Sequence, residues 1–213
     1  MSETLILLGL ATALAYGQIF LSKPVSLPRT IAKTLPLIGF ALATFAADGP
    51  LFLAAAFMLS AVGDACLSRD GDRWFRLGLA AFLAAHLAYV PLFLGVGTEL
   101  SFVHLSLTFA LLAVLISLVL VRIWPGLGDL KIPVLAYMTV IAVMGLSASQ
   151  LPPDYALAMA GAVLFILSDT VLALELFAIP GRKWTPPVVW FSYIAAQTLI
   201  GAAFWLNSQG SGT

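Results

Sequence analysis

The stretch LSAVGDACLSRDGDRWFRLGLAAFLAAHLAYV, residues 59–90, contains an apolar run, a basic connection and a second apolar run. The first run ends at Leu67, Arg69, Arg73 and Arg76 follow in or beside the connection, and the second run covers 74–94. About 20 apolar residues wound as helix cross the roughly 30 Å of a bilayer's hydrocarbon core. Residues 59–90 therefore read as parts of two membrane helices joined by a charged turn. One residue resists that reading: Asp64, a carboxylate set after Gly63 inside chain otherwise suited to lipid.

Outward from this stretch the same pattern repeats. Apolar runs at 4–21, 31–47, 50–67, 74–94, 101–121, 132–148, 155–179 and 187–206 predict eight spans, separated by Pro/Gly punctuation such as SKPVSLPR, WPGLG, LPPD and IPGRKWTPP. Of the 213 residues 62% are hydrophobic and 9% charged, far from the composition of a water-soluble domain. The expected fold is an all-α membrane protein, an eight-helix transmembrane bundle. Residues 1–206 form a single transmembrane domain and 207–213 a short disordered tail. A net charge of zero points to no nucleic acid partner. Two histidines and a single cysteine, Cys66, make a His-rich metal site and an internal disulfide poor readings.

The ten Lys and Arg residues, Lys23 to Lys183, all fall at odd-numbered connections. By the positive-inside rule those connections face the cytoplasm and both termini face the non-cytoplasmic side. The expected location is a multi-pass integral membrane protein, in the cell (inner) membrane for a bacterial source. A faint echo between FMLSAVGDACL in the third span and FILSDTVLAL in the seventh is compatible with a four-plus-four parallel repeat.

Ionisable groups within membrane spans are costly and face a bundle interior or a watery cavity, so each is a functional candidate. Asp64 lies near the cytoplasmic end of its span, where a snorkelling, interfacial role competes with a functional one. Asp169 is eleven residues from Pro180, roughly 16 Å deep at helical rise. His86 sits mid-span, Lys33 opens the second span, and Glu175 and His104 read as interfacial. His86 and Tyr89 share a helix face, as do Tyr193 and Gln197. Trp124, Trp184 and Trp190 fall where an interfacial aromatic belt belongs. These polar groups are compatible with one inward-opening cavity, suited equally to a lipid-processing enzyme and to a transporter.

The motifs SAVGDACL, FLAAHLAYV, IPVLAY, GAVLFILSDTVLA and YIAAQTLI, in this order from about residue 31 to 201, resemble those of the YhhN family of membrane proteins, the lysoplasmalogenases. The resemblance implies an eight-span hydrolase acting on the vinyl ether bond of lysoplasmalogens. Its products are a fatty aldehyde and glycerophosphoethanolamine or glycerophosphocholine. It implies a lysophospholipid substrate, no cofactor and no metal, and is silent on oligomeric state. The positions matching the family's polar motif residues are Lys33, Asp64, His86, Tyr89, Tyr137, Ser168, Asp169, Tyr193 and Gln197. The first span and the tail match nothing diagnostic.

A vinyl ether is opened by protonation of its β-carbon, and water then traps the resulting oxocarbenium ion. Such chemistry suits two carboxyls in low dielectric, one holding a proton and one ionised. The expectation is that Asp64 and Asp169 form that dyad; the sequence leaves open which of them is the acid, and greater depth favours Asp169. His86, Tyr193 and Gln197 would orient water or a carboxylate, and Lys33, with Arg76, would meet the phosphate. A lysolipid-binding transporter or receptor is the competing class. A serine nucleophile at Ser168 lacks any G-x-S-x-G context.

Overall fold

The computed structural model describes residues 2–96 and 101–210. Each of the eight apolar runs is a helix. These are α1 (Ser2–Ala15, continuing as a π-helical turn Tyr16–Phe20), α2 (Leu27–Ala46), α3 (Leu51–Leu67), α4 (Asp72–Leu94), α5 (Phe102–Ile123), α6 (Lys131–Ala148), α7 (Ala156–Phe177) and α8 (Thr185–Gly210). Without water to receive backbone hydrogen bonds, a chain in lipid satisfies them internally, and helix is the form that does so within one segment. The breaks fall at residues that oppose helix. Gly71 (φ 107°) and Gly181 (φ 76°) take left-handed backbone conformations at the turns before α4 and α8. The Ser101 side chain caps α5 by accepting from the His104 amide. The connection near Glu99 and the last three residues of the tail lie outside the described residues, and α8 runs through Asn207 to Gly210.

Six of the eight helices are long and apolar enough to cross a membrane. The other two are adjacent. α3 has 17 residues, and α2 carries Arg29 and Lys33 in its first two turns.

The chain forms two compact units. Unit 1 runs from the N-terminus to Leu92 and adds the end of α8 from Phe204; unit 2 covers Phe93–Ala203. In unit 1 the core of α2 and α3 is aromatic. The Phe40 and Phe57 rings meet edge to face at 5.6 Å, and Trp205 packs against Phe40 at 5.7 Å. The Trp205 indole N–H donates to Thr44 Oγ1 at 3.0 Å, and that hydroxyl donates to the Phe40 carbonyl at 2.8 Å. α3 and α4 approach closely at Gly63, where a Cβ would stand 2.6 Å from the Phe82 ring.

In unit 2, α7 and α8 cross at Gly161, where a Cβ would lie 2.7 Å from the Ala196 carbonyl oxygen. That contact sets Tyr193 against Phe165, ring centroids 5.5 Å apart. Val119, Ile123, Leu127 and Val134 make a second apolar cluster where α5 turns into α6. α5 otherwise exposes large side chains, Leu111 at 72% and Val121 at 76%, the pattern of a lipid-facing helix.

Candidate functional site

Unit 1 carries Lys33, Asp64, His86 and Tyr89. Lys33 Nζ and Asp64 Oδ1 are 3.1 Å apart, with side-chain exposures of 17% and 2%. The pairing follows from the α2–α3 hairpin, since the antiparallel register that puts Phe40 on Phe57 also puts residue 33 against 64. Asp64 is thus buried within the protein, and the interfacial reading of it does not hold. Gly63 and Leu67 turn toward α4, the latter packing on Gly78, so Asp64 occupies the neighbouring, α2-facing side of α3.

His86 is fully buried. Its Nδ1 lies 2.7 Å from the Phe82 carbonyl oxygen, and because that oxygen only accepts, Nδ1 bears the hydrogen. In the neutral ring Nε2 is then the lone-pair nitrogen. Tyr89, one helical turn on, is also fully buried. Arg76, expected beside Lys33, is exposed on α4.

Unit 2 carries Tyr137, Ser168, Asp169, Tyr193 and Gln197. The Tyr137 hydroxyl on α6 donates to Asp169 Oδ2 at 2.7 Å. Ser168 Oγ lies 3.0 Å from the Phe165 carbonyl and 3.3 Å from Asp169 Oδ1. A serine hydroxyl has one hydrogen, so Ser168 donates either to the Phe165 carbonyl or to Asp169 Oδ1. Tyr193 and Gln197 are buried on α8. Trp190, expected in an interfacial belt, is instead 3% exposed and packs on Tyr193 with centroids 6.0 Å apart. Its position one turn before Tyr193 on the same face of α8 explains the burial.

The contacts of the two carboxyls thus include a cation for Asp64 and two hydroxyls for Asp169. Among the described residues no three His, Cys, Asp or Glu side chains cluster as a metal site would require. Sequence reading passed over two residues of unit 1. Ser68, four beyond Asp64, is 1% exposed, and Arg29, four before Lys33, lies in the first turn of α2. The i,i+4 spacing from each charged residue was the available signal.

The model of the YhhN family matches residues 28–204. The chain belongs to the YhhN family. Relatives within reach of this YhhN protein include the lysoplasmalogenase of Mycobacterium tuberculosis, 32% identical over 165 residues, which are 74% of this chain and 62% of that protein. Human lysoplasmalogenase TMEM86B is 38% identical over 160 residues, 70% of this chain and 61% of that protein. The pig lysoplasmalogenase TMEM86B is 34% identical over 179 residues, 80% and 72% respectively. The chain therefore spans less than two thirds of the length of the mycobacterial and human relatives. No solved structure matches it. Family membership and the six long apolar helices make the chain a multi-pass integral membrane protein.

Proposed function

We propose that the chain is a lysoplasmalogenase, hydrolysing the vinyl ether bond of a lysoplasmalogen to a fatty aldehyde and a glycerophospho head group. The observation that carries this reading is the contrast between the two carboxyl environments, Asp64 buried on a cation and Asp169 half-buried against hydroxyls, which suits one ionised and one protonated group. The names of the relatives agree with it.

In this mechanism Asp169, neutral between Tyr137 and Ser168, delivers its proton to the vinyl ether β-carbon. The C=C electron pair forms the new C–H bond, and the α-carbon becomes an oxocarbenium ion. Asp64, held ionised by Lys33, stabilises that cation and takes a proton from the attacking water, as carboxylate pairs do in glycosidases. The resulting hemiacetal collapses. Its hydroxyl proton passes to the departing glycerol oxygen, the C–O bond breaks and aldehyde leaves. Proton exchange with water resets both carboxyls.

Lys33 is the more exposed partner of its ion pair and meets the substrate phosphate as a point charge. His86, Tyr89, Tyr193 and Gln197 orient water and carboxyls, and the basic connections face the cytoplasm.

An aldehyde-coupled assay on detergent-purified protein tests the reading, with an acyl lysophospholipid of equal chain length as control. Aldehyde from the vinyl ether lipid alone is the expected result. Lysolipid binding without aldehyde release overturns it in favour of a transporter or receptor.

A further inference from the structure

Ser68 poses an unmet demand in unit 1. Its Oγ is buried and has no hydrogen-bond partner among the described residues, although its amide donates to the Asp64 carbonyl at 3.0 Å. A buried polar atom left unsatisfied is costly, and native proteins keep such atoms for a ligand, a water or a mechanism. The α2–α3 register sets residue 40 against 57 and residue 33 against 64. One turn further along the same faces it sets Arg29 opposite Ser68.

Arg29 is anchored from the other side. Its Nε donates to the Phe20 carbonyl at 3.3 Å, and its Cζ sits 5.8 Å from the Tyr16 ring centroid. Both partners belong to the π-helical turn that ends α1, a type of irregularity common at functional sites. No carboxylate pairs with Arg29 among the described residues. Its terminal amino groups keep the planar fork that matches phosphate oxygens.

We propose that Arg29, Lys33 and Ser68 form a phosphate clamp that seats the phosphodiester of a lysophospholipid. Arg29 holds two oxygens, Lys33 contributes charge, and the Ser68 hydroxyl donates the hydrogen bond it lacks in the unliganded protein. A lipid-borne phosphate is the better fit than a free one. The first turn of α2 also borders an apolar groove of about 330 Å³ lined by Thr12, Ala15, Ile31 and Leu35, which suits a hydrocarbon chain. The clamp rests on the lysophospholipid reading above. It adds to that reading the prediction that the phosphate, rather than the choline or ethanolamine, is the recognised part of the head group.

The test is equilibrium binding to the full-length protein in detergent, with an acyl lysophosphatidylcholine, a monoacylglycerol of the same chain, and inorganic phosphate as competitor. The wild type is expected to bind the lysophospholipid at least about tenfold more tightly than the monoacylglycerol, the effect of one charge-assisted contact. Arg29→Gln and Ser68→Ala should each remove most of that preference and leave monoacylglycerol binding unchanged. Without ligand, Ser68→Ala should melt at or above the wild-type temperature, because it deletes an unpartnered group.

Equal binding of the two lipids by the wild type overturns the clamp, as does a retained preference in both variants. A clear fall in the melting temperature of Ser68→Ala also overturns it, because the hydroxyl would then have had a partner already. Displacement of bound lysolipid by millimolar inorganic phosphate makes this a site for free anions and overturns the lipid assignment. The acyl lipid has no vinyl ether bond, so these outcomes leave aldehyde release to be judged separately.

Discussion

Two aspartates of the same protein live in opposite surroundings. Asp64, in unit 1, faces the ammonium of Lys33 at 3.1 Å. Asp169, in unit 2, faces the hydroxyls of Tyr137 and Ser168 at 2.7 and 3.3 Å. A buried carboxylate beside a cation keeps its charge, whereas one surrounded by neutral donors and acceptors can be accommodated with its proton. Under the proposed mechanism, identical side chains would take different resting charges from their neighbours. In an acid-catalysed hydrolysis, that difference is what separates a proton donor from a charge stabiliser.

The most severe way to break this comparison is to neutralise each aspartate in turn. Asp64→Asn and Asp169→Asn should each lower aldehyde release by about a hundredfold to ten-thousandfold, the usual worth of a general acid or base. The measurement is aldehyde-coupled turnover by protein that still runs as a folded species on size exclusion. Near-native turnover in either variant removes that residue from the mechanism.

Lys33→Met comes next. It leaves the Asp64 charge buried without its cation and should cost about 3–5 kcal/mol of stability. The double variant Lys33→Met with Asp64→Leu should recover most of that loss in thermal melts. No recovery would mean that the lysine matters for something other than the pair.

Tyr137→Phe sharpens the other half of the comparison. If Asp169 is neutral, losing the Tyr137 donor costs about 1 kcal/mol, and if it is anionic about 1.5–3 kcal/mol. We expect the smaller value, read from denaturation midpoints. The smallest effect belongs to a position outside the polar site residues. Trp205→Phe keeps the ring packing on Phe40 and loses only the bond to Thr44 Oγ1, which should cost about 1 kcal/mol and leave turnover unchanged.

Helix existence was legible because each apolar run is bounded by residues that end helices in any setting. The run at 74–94 became α4, Asp72–Leu94, and the run at 132–148 became α6, Lys131–Ala148. The π-helical turn at Tyr16–Phe20 left no sequence mark, since a change of backbone pitch requires no particular residue. Composition also could not decide the surroundings of the polar groups. Lys33 read as a cation at the start of its span, set to meet a phosphate, and its pairing with Asp64 emerged only from the hairpin register. Trp190 read as a belt residue until its helix face proved to be the one packed on Tyr193. A single span fixes periodicity and says little about which neighbour each face meets.

The Lys33–Asp64 bridge also bears on how the protein is made. α2 and α3 are the two helices that fall short of the length and apolarity needed to cross a membrane unaided, and they are the two that share this ion pair. A lone lysine or aspartate costs about 2.5–3.5 kcal/mol at a helix centre on translocon insertion scales and less toward the helix ends, where these two sit. Joined by the short turn after Ala46, the two segments can offer those charges to the lipid as one neutral pair. During synthesis, α2 and α3 are then best delivered to the bilayer together, as a hairpin, and a mutation that separates the charges becomes a defect of biogenesis before it becomes one of catalysis.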